Sequence, residues 1–218
     1  MSSITKETEV FIDVCEKGLL DLAKILIVND KVEPSSNNNK ALLSAIENHH
    51  IEIVDLLFND PRVKLEPSEA GNIIAGVIER IKAADILSLI LKCDKFDITY
   101  GENNAIRRVS HNGFLDMVKL LLNDSRVDPS AMSNYALRWS ITRDHFEVAK
   151  LLLSDTRVSL ISAISYIDNN PYSQFGDGAK LKKFRDEMTP EAGKLRTAIE
   201  GLKTMRDNLD KLIAELSK

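Results

Sequence analysis

Four histidines and two cysteines are the residues of this chain best suited to chemistry, and their spacing speaks against it. His49, His50, His111 and His145 have the right side chain for zinc or for proton transfer. No two of them have a zinc-ligand spacing with a third ligand nearby, and H-E-x-x-H is absent. Cys15 falls at a small inner position of a helical stretch and reads as a packing residue. Cys93 follows another such stretch, and nothing marks either thiol as activated. Gly176-Asp-Gly-Ala-Lys180 has some of the residues of a phosphate loop. It lacks the full G-x-x-x-x-G-K-[ST] spacing and follows no strand, so it reads as a linker. No G-x-S-x-G occurs, and Asp186-Glu187 lies in charged helical text, where a solvated face is the simpler account. The residues therefore predict a non-catalytic protein: no enzyme site, no metal and no cofactor.

The elements that would position any site can be bounded from composition. The chain has 218 residues, 44% hydrophobic and 28% charged, which is globular rather than disordered. A net charge of −4 gives no global attraction to nucleic acid or to an anionic membrane. Two cysteines make no disulfide framework, which points to a reducing compartment and an intracellular, cytoplasmic protein. The opening MSSITKETEV has no basic or apolar leader region, so no signal peptide is expected. The longest apolar run, Ile86 to Leu91, is broken by Ser88 and is far short of the roughly 20 residues that span a bilayer. Aromatic and β-branched alternation is sparse, so the expected class is all-α.

Within that class the chain repeats itself. LLLNDSRVDPS (Leu120–Ser130) has near copies in LLFNDPRVKLEPS (Leu56–Ser68) and LLLSDTRVSL (Leu151–Leu160). The aspartate of this helix stop recurs at Asp30, Asp60, Asp94, Asp124 and Asp155, at intervals of 30, 34, 30 and 31. The acidic residue opening the preceding apolar run recurs at Asp21, Glu52, Asp85, Asp116 and Glu147, at intervals of 31, 33, 31 and 31. Two independent markers keep one period. Each unit holds two helical patterns. In the fourth, Phe114, Met117, Val118 and Leu121 follow i, i+3, i+4, i+7, and Leu120 and Leu122 widen the stripe. Asn104–Asn112 is the partner pattern, and Gly113 separates the two. Pro129 then disfavours helix at Asp128, and Val127 can anchor the turn in the core. A helix pair this short buries its faces only against neighbouring pairs, which makes a solenoid.

These residues resemble the ankyrin repeat. Gly113-Phe-Leu-Asp-Met-Val-Lys-Leu-Leu-Leu122 looks like the second ankyrin helix, usually G-H-x-E-V-V-K-L-L-L, and Asp144–Leu153 matches it from the histidine onward. His49–Phe58 is similar; the copies at Gly18 and Ala83 are weaker. The D-x-R-V-D-P-S turn resembles a divergent ankyrin dialect of large DNA viruses and protists. The likeness covers about residues 5 to 160. It implies an ankyrin-like helix-turn-helix solenoid of about five repeats, with His49 and His145 supporting the helix-helix turns. The usual T-P-L-H opening is missing: Asn104-Ala-Ile-Arg and Tyr135-Ala-Leu-Arg stand in its place, which puts the usual inter-repeat hydrogen bonds in doubt.

The likeness also implies a scaffold or adaptor that binds a protein partner on a concave face made of loop tips and first helices. The residues before each helix turn are Glu16-Lys17, Glu47-Asn48, Arg80-Ile81, His111-Asn112 and Thr142-Arg143. Three residues earlier, at the position taken to point outward, stand Asp13, Ser44, Val77, Arg108 and Trp139. The row ends basic and aromatic. Arg80, Arg108, His111, Trp139 and Arg143 are the expected partner-binding residues, suited to an acidic or aromatic segment of another protein. Against this, Trp139 could plug a gap between repeats, and Arg108 and Arg138 could be ordinary solvated surface.

The text changes near the C-terminus. Residues 1–168 read as the solenoid, with Leu160–Ile167 able to begin a sixth first helix; 169–178 read as a linker and 179–218 as a helical extension. Residues 178–218 carry a net +3, too little to suggest nucleic-acid binding. Thr189 and Pro190 resemble a helix start. Leu195, Ile199, Leu202, Leu209, Ile213 and Leu216 fit an a/d seam. The extension either caps the last repeat or forms a short coiled coil, making the Leu195–Leu216 helix a homo-oligomer interface. Two rival functions follow: self-assembly through this helix, or an effector enzyme with a cryptic C-terminal site.

Overall fold

A computed structural model describes residues 5–79, 83–169, 177–188, 201–206 and 211. Among them there is no strand. The helices are α1 (Lys6–Glu16), α2 (Leu20–Ile27), α3 (Ser36–Glu47), α4 (Ile51–Asn59), α5 (Pro67–Ile78), α6 (Ala84–Lys92), α7 (Tyr100–His111), α8 (Leu115–Leu122), α9 (Ala131–Thr142), α10 (Phe146–Leu153), α11 (Leu160–Asn169) and α12 (Gly178–Met188). Odd and even helices pair, α1 with α2 through α11 with α12. Odd helices touch odd neighbours and even helices touch even neighbours, so the pairs stack in two layers; α3 and α5 meet more sparsely than the other odd neighbours.

The periodic apolar residues build the core between the layers. Met117, Val118 and Leu121 are buried on α8, with Val148, Ala149 and Leu152 in the matching places on α10. After α2, α4, α6, α8 and α10 the turn drops an apolar residue into the core, Val32, Val63, Phe96, Val127 and Val158, and the turn after α6 adds Ile98. Phe96 meets Phe58 edge-on, with ring centroids 5.0 Å apart.

The repeated stop does more than return the chain. In D-x-R the aspartate fixes the arginine, which reaches back to the preceding pair. Arg126 donates Nη2 to Leu91 O at 2.9 Å while its Nε is held by Asp124 Oδ1 at 2.9 Å. Arg157 donates Nη1 to Val127 O at 2.7 Å, and Arg62 binds both Ile27 O and Val32 O. The third turn has Lys95 instead, whose Nζ reaches Asp60 O at 2.7 Å. The arginine hydrogen bond is the main reason that Asp60, Asp124 and Asp155 are held below the usual carboxylate range.

A second fastener joins the first helix of a pair to the turn that follows that pair. Thr8 Oγ1 accepts from Glu33 N, Asn103 Oδ1 from Asp128 N and Asn134 Oδ1 from Ser159 N; Asn39 Nδ2 donates to Lys64 O. Each spans 25 residues to the next turn. The asparagines sit in left-handed turns, Asn37–Asn39, Gly101–Asn103 and Met132–Asn134, that open α3, α7 and α9. Helix α5 instead starts at Pro67 with a capping box between Glu66 and Glu69.

The turn histidines are His50 and His145, which precede α4 and α10. His49 takes the left-handed position of its turn, as Asp144 does in the fifth pair, so His49 and His145 are not counterparts. The His50 ring packs over Gly18 and bonds Glu16 O at 3.0 Å; His145 packs over Gly113.

Candidate functional site

Helices α7 and α9 bring together His111, Trp139 and Arg143. The His111 and Trp139 rings lie 4.9 Å apart, and the Arg143 guanidinium sits 5.6 Å over the indole. Trp139 is half-buried and Arg143 exposed. The indole Nε1 is buried without a hydrogen-bond partner.

Arg108 lies further along α7, paired with Glu79 across the α5–α7 boundary. With His111, Asn112, Asn104, Arg107 and Tyr135 it lines a polar groove of about 300 Å³. Arg80 lies outside the described residues. Two positions expected to point outward do not: Ser44 and Val77 are buried, on helices that pack against α1 and α7 respectively, so these positions belong to the packed interior. Arg138, for which solvated surface was the alternative reading, is 1% exposed. It donates to Ser133 O and Met132 O and lies 4.3 Å over the Tyr166 ring, and burial lowers its pKa.

Tyr135 belongs to the site although its sequence position gave no reason to choose it. Its ring is 6.0 Å from Trp139 and 5.0 Å from the Arg107 guanidinium. Lys180 also borders the cluster. From α12 it donates to Thr142 O at 2.9 Å and pairs with Asp144, fixing the turn that carries Arg143. Helix α12 packs on α9 and α11, with Leu181 and Phe184 buried and Phe184 stacked on Phe146 at 5.7 Å. The start of the extension thus covers the last pairs. Of the Gly176–Lys180 stretch, the structure describes Asp177 onward, which serves that helix, since Asp177 accepts from Ala179 N and Lys180 N. Of the Leu195–Leu216 seam only Leu202 is described, and it is 65% exposed.

No group of three His, Cys, Asp or Glu among the described residues is placed to hold a metal ion. Burial pushes the Cys15 thiol up to about 12, far from thiolate formation. No helix among the described residues is long and apolar enough to cross a membrane. No protein-family model, curated protein or solved structure matches the chain.

Proposed function

We propose that this protein is a divergent ankyrin-like module that binds another protein on the face lined by its odd helices. The fixed period, the two-layered stack of short helix pairs and the glycine–histidine packing at the turns support the ankyrin-like reading. In such stacks the first helices line the concave side. The observation that carries the binding reading is the His111–Trp139–Arg143 cluster beside a groove edged by Arg108. A half-exposed indole under a guanidinium is the composition of a binding hot spot, and it suits an acidic or aromatic segment.

A displayed peptide library rich in Asp, Glu and aromatic residues tests this. Ligands selected on the wild type should weaken at least about tenfold on Arg143→Glu and on Arg108→Glu, as expected when a charged contact is reversed. Both side chains are largely exposed, so the variants should keep the wild-type melting temperature. Unchanged affinity for every selected ligand in both variants would sink the reading.

Leu202 and Met205, 65% and 69% exposed, favour a second reading, self-association through the C-terminal segment. A sedimentation coefficient that rises with concentration and stops doing so on deletion of residues 189–218 would establish it.

A further inference from the structure

In the fourth and fifth pairs an arginine closes the left-handed turn from within the chain. Arg107 donates Nε to Glu102 O at 3.1 Å and Nη2 to Gly101 O at 2.8 Å. Arg138 repeats this on Ser133 O at 3.0 Å and Met132 O at 2.8 Å. Each guanidinium then lies over a tyrosine of the next odd helix, Tyr135 or Tyr166. The second pair has the same turn, Asn37–Asn39, at the same spacing before Leu43. Leu43 carries no donor, so nothing at that position reaches the carbonyls of Asn37 and Asn38.

A groove of about 300 Å³ remains between α3 and α5, where the odd layer is most open. Leu43, Leu65 and Ile73 form its apolar wall, Asn38 and Glu69 border it, and no cationic side chain lines it. Asn39 also lines it and is 4% exposed. Its Nδ2 is engaged by Lys64 O, while Oδ1 is buried without a donor. Turning the amide over would set that oxygen against the Lys64 carbonyl, so the orphan acceptor is fixed by its neighbour.

We propose that this groove receives the guanidinium of an arginine borne by a partner polypeptide. Arginine has five donors, no acceptor and an apolar stem. The stem fits the Leu43–Leu65–Ile73 wall. The planar fork has Asn39 Oδ1, the Asn38 carbonyl and the Glu69 carboxylate beside it in the groove, the carbonyl being the kind of acceptor that Arg107 and Arg138 bind in their own turns. Glu69 supplies the charge complement. Lysine is a compact, strongly hydrated charge and matches the forked set poorly. This site is separate from the α7–α9 cluster and stands whether or not that cluster binds an acidic segment.

The test is an NMR titration of the isotope-labelled full chain with N-acetyl-arginine N-methylamide, and with its lysine and citrulline analogues. The arginine probe should give saturable shifts at the Asn39 side-chain amide and at the Leu43, Leu65 and Ile73 methyls. Lysine should bind more weakly, and neutral citrulline should not bind. Glu69→Gln keeps the capping box, which Gln also forms, and should weaken the arginine probe roughly tenfold. Leu43→Arg supplies the guanidinium from within the chain and should raise the melting temperature and abolish the probe's shifts. The proposal is overturned if the wild type gives no saturable shift, if citrulline binds as well as arginine, or if a folded Leu43→Arg variant still binds the probe. Should Leu43→Arg not fold, the Glu69→Gln and citrulline arms decide alone, and equal binding in either is the overturning result.

Discussion

Arg126 divides its guanidinium between Asp124 in its own turn and Leu91 O in the pair before, so one side chain joins local geometry to stacking. Its side chain is 43% exposed, which screens the ion pair and leaves the carbonyl bond as the larger contribution. Arg126→Ala should therefore lose only about 1–2 kcal/mol, read as a drop of a few degrees in melting temperature. The aspartate titration has a definite sign. Asp124 is held below its ordinary value by the Arg126 hydrogen bond, so its stabilisation is complete above the unfolded-state pKa, near 4. It is lost as pH falls through the lower folded value. Urea midpoints of wild type and Asp124→Asn should thus differ at neutral pH and converge in acid. A constant gap would mean that the ion pair does not act through protonation. Gly113 makes a different demand. At φ +76° a side chain is strained, and a Cβ there would stand 2.6 Å from His145 Nδ1. Gly113→Ala should cost about 1–3 kcal/mol, and adding His145→Ala should recover the part due to the clash.

At the scale of elements, the even helices were legible and the starts of the odd helices were not. Phe114, Met117, Val118 and Leu121 announce α8 because one face must be apolar for burial between layers. The starts of α7 and α9 have no such pattern. They are left-handed turns spelled Gly-Glu-Asn and Met-Ser-Asn, and Met132 has no intrinsic liking for that region. What holds Met132 and Ser133 there is Arg138, whose acceptors are backbone carbonyls that every sequence carries. No residue pattern reveals that pairing, which is why solvated surface stood as an alternative for Arg138. The same blindness hid D-x-R as a fastener: its period was visible, but its targets, Leu91 O and Val127 O, are main-chain atoms. Arg138→Leu, which copies Leu43 of the second pair, should lose two charge-assisted hydrogen bonds, partly offset by relief of burying the charge. A net cost of about 2 kcal/mol is expected. Hydrogen exchange should show the loss first at the start of α9. Uniform loss along the chain would show instead that the arginine supports the whole stack.

At the scale of the molecule, contacts run between neighbouring pairs, so damage at one end should stay there. The site lies toward the C-terminal end. That His111, Trp139 and Arg143 would lie together was readable because the period carries a position from one unit to the next. Lys180 was not, since only the docking of α12 brings it to Asp144. That docking ties the site to the end of the stack. Phe184 is 4% exposed and stacked on Phe146, and its truncation should cost about 3 kcal/mol of local packing. Phe184→Ala should then raise hydrogen exchange in α11, α12 and the Thr142–Asp144 turn, while α1 to α6 keep wild-type protection. Affinity for peptides that depend on Arg143 should fall with it, although Phe184 lies on a different helix from the cluster. Lys180→Met should weaken the same peptides without loosening α11, because it removes the tether to the turn and leaves the packing. If Phe184→Ala opens α12 and peptide affinity does not change, the turn holds Arg143 unaided, and α12 is only a cover for the last pairs.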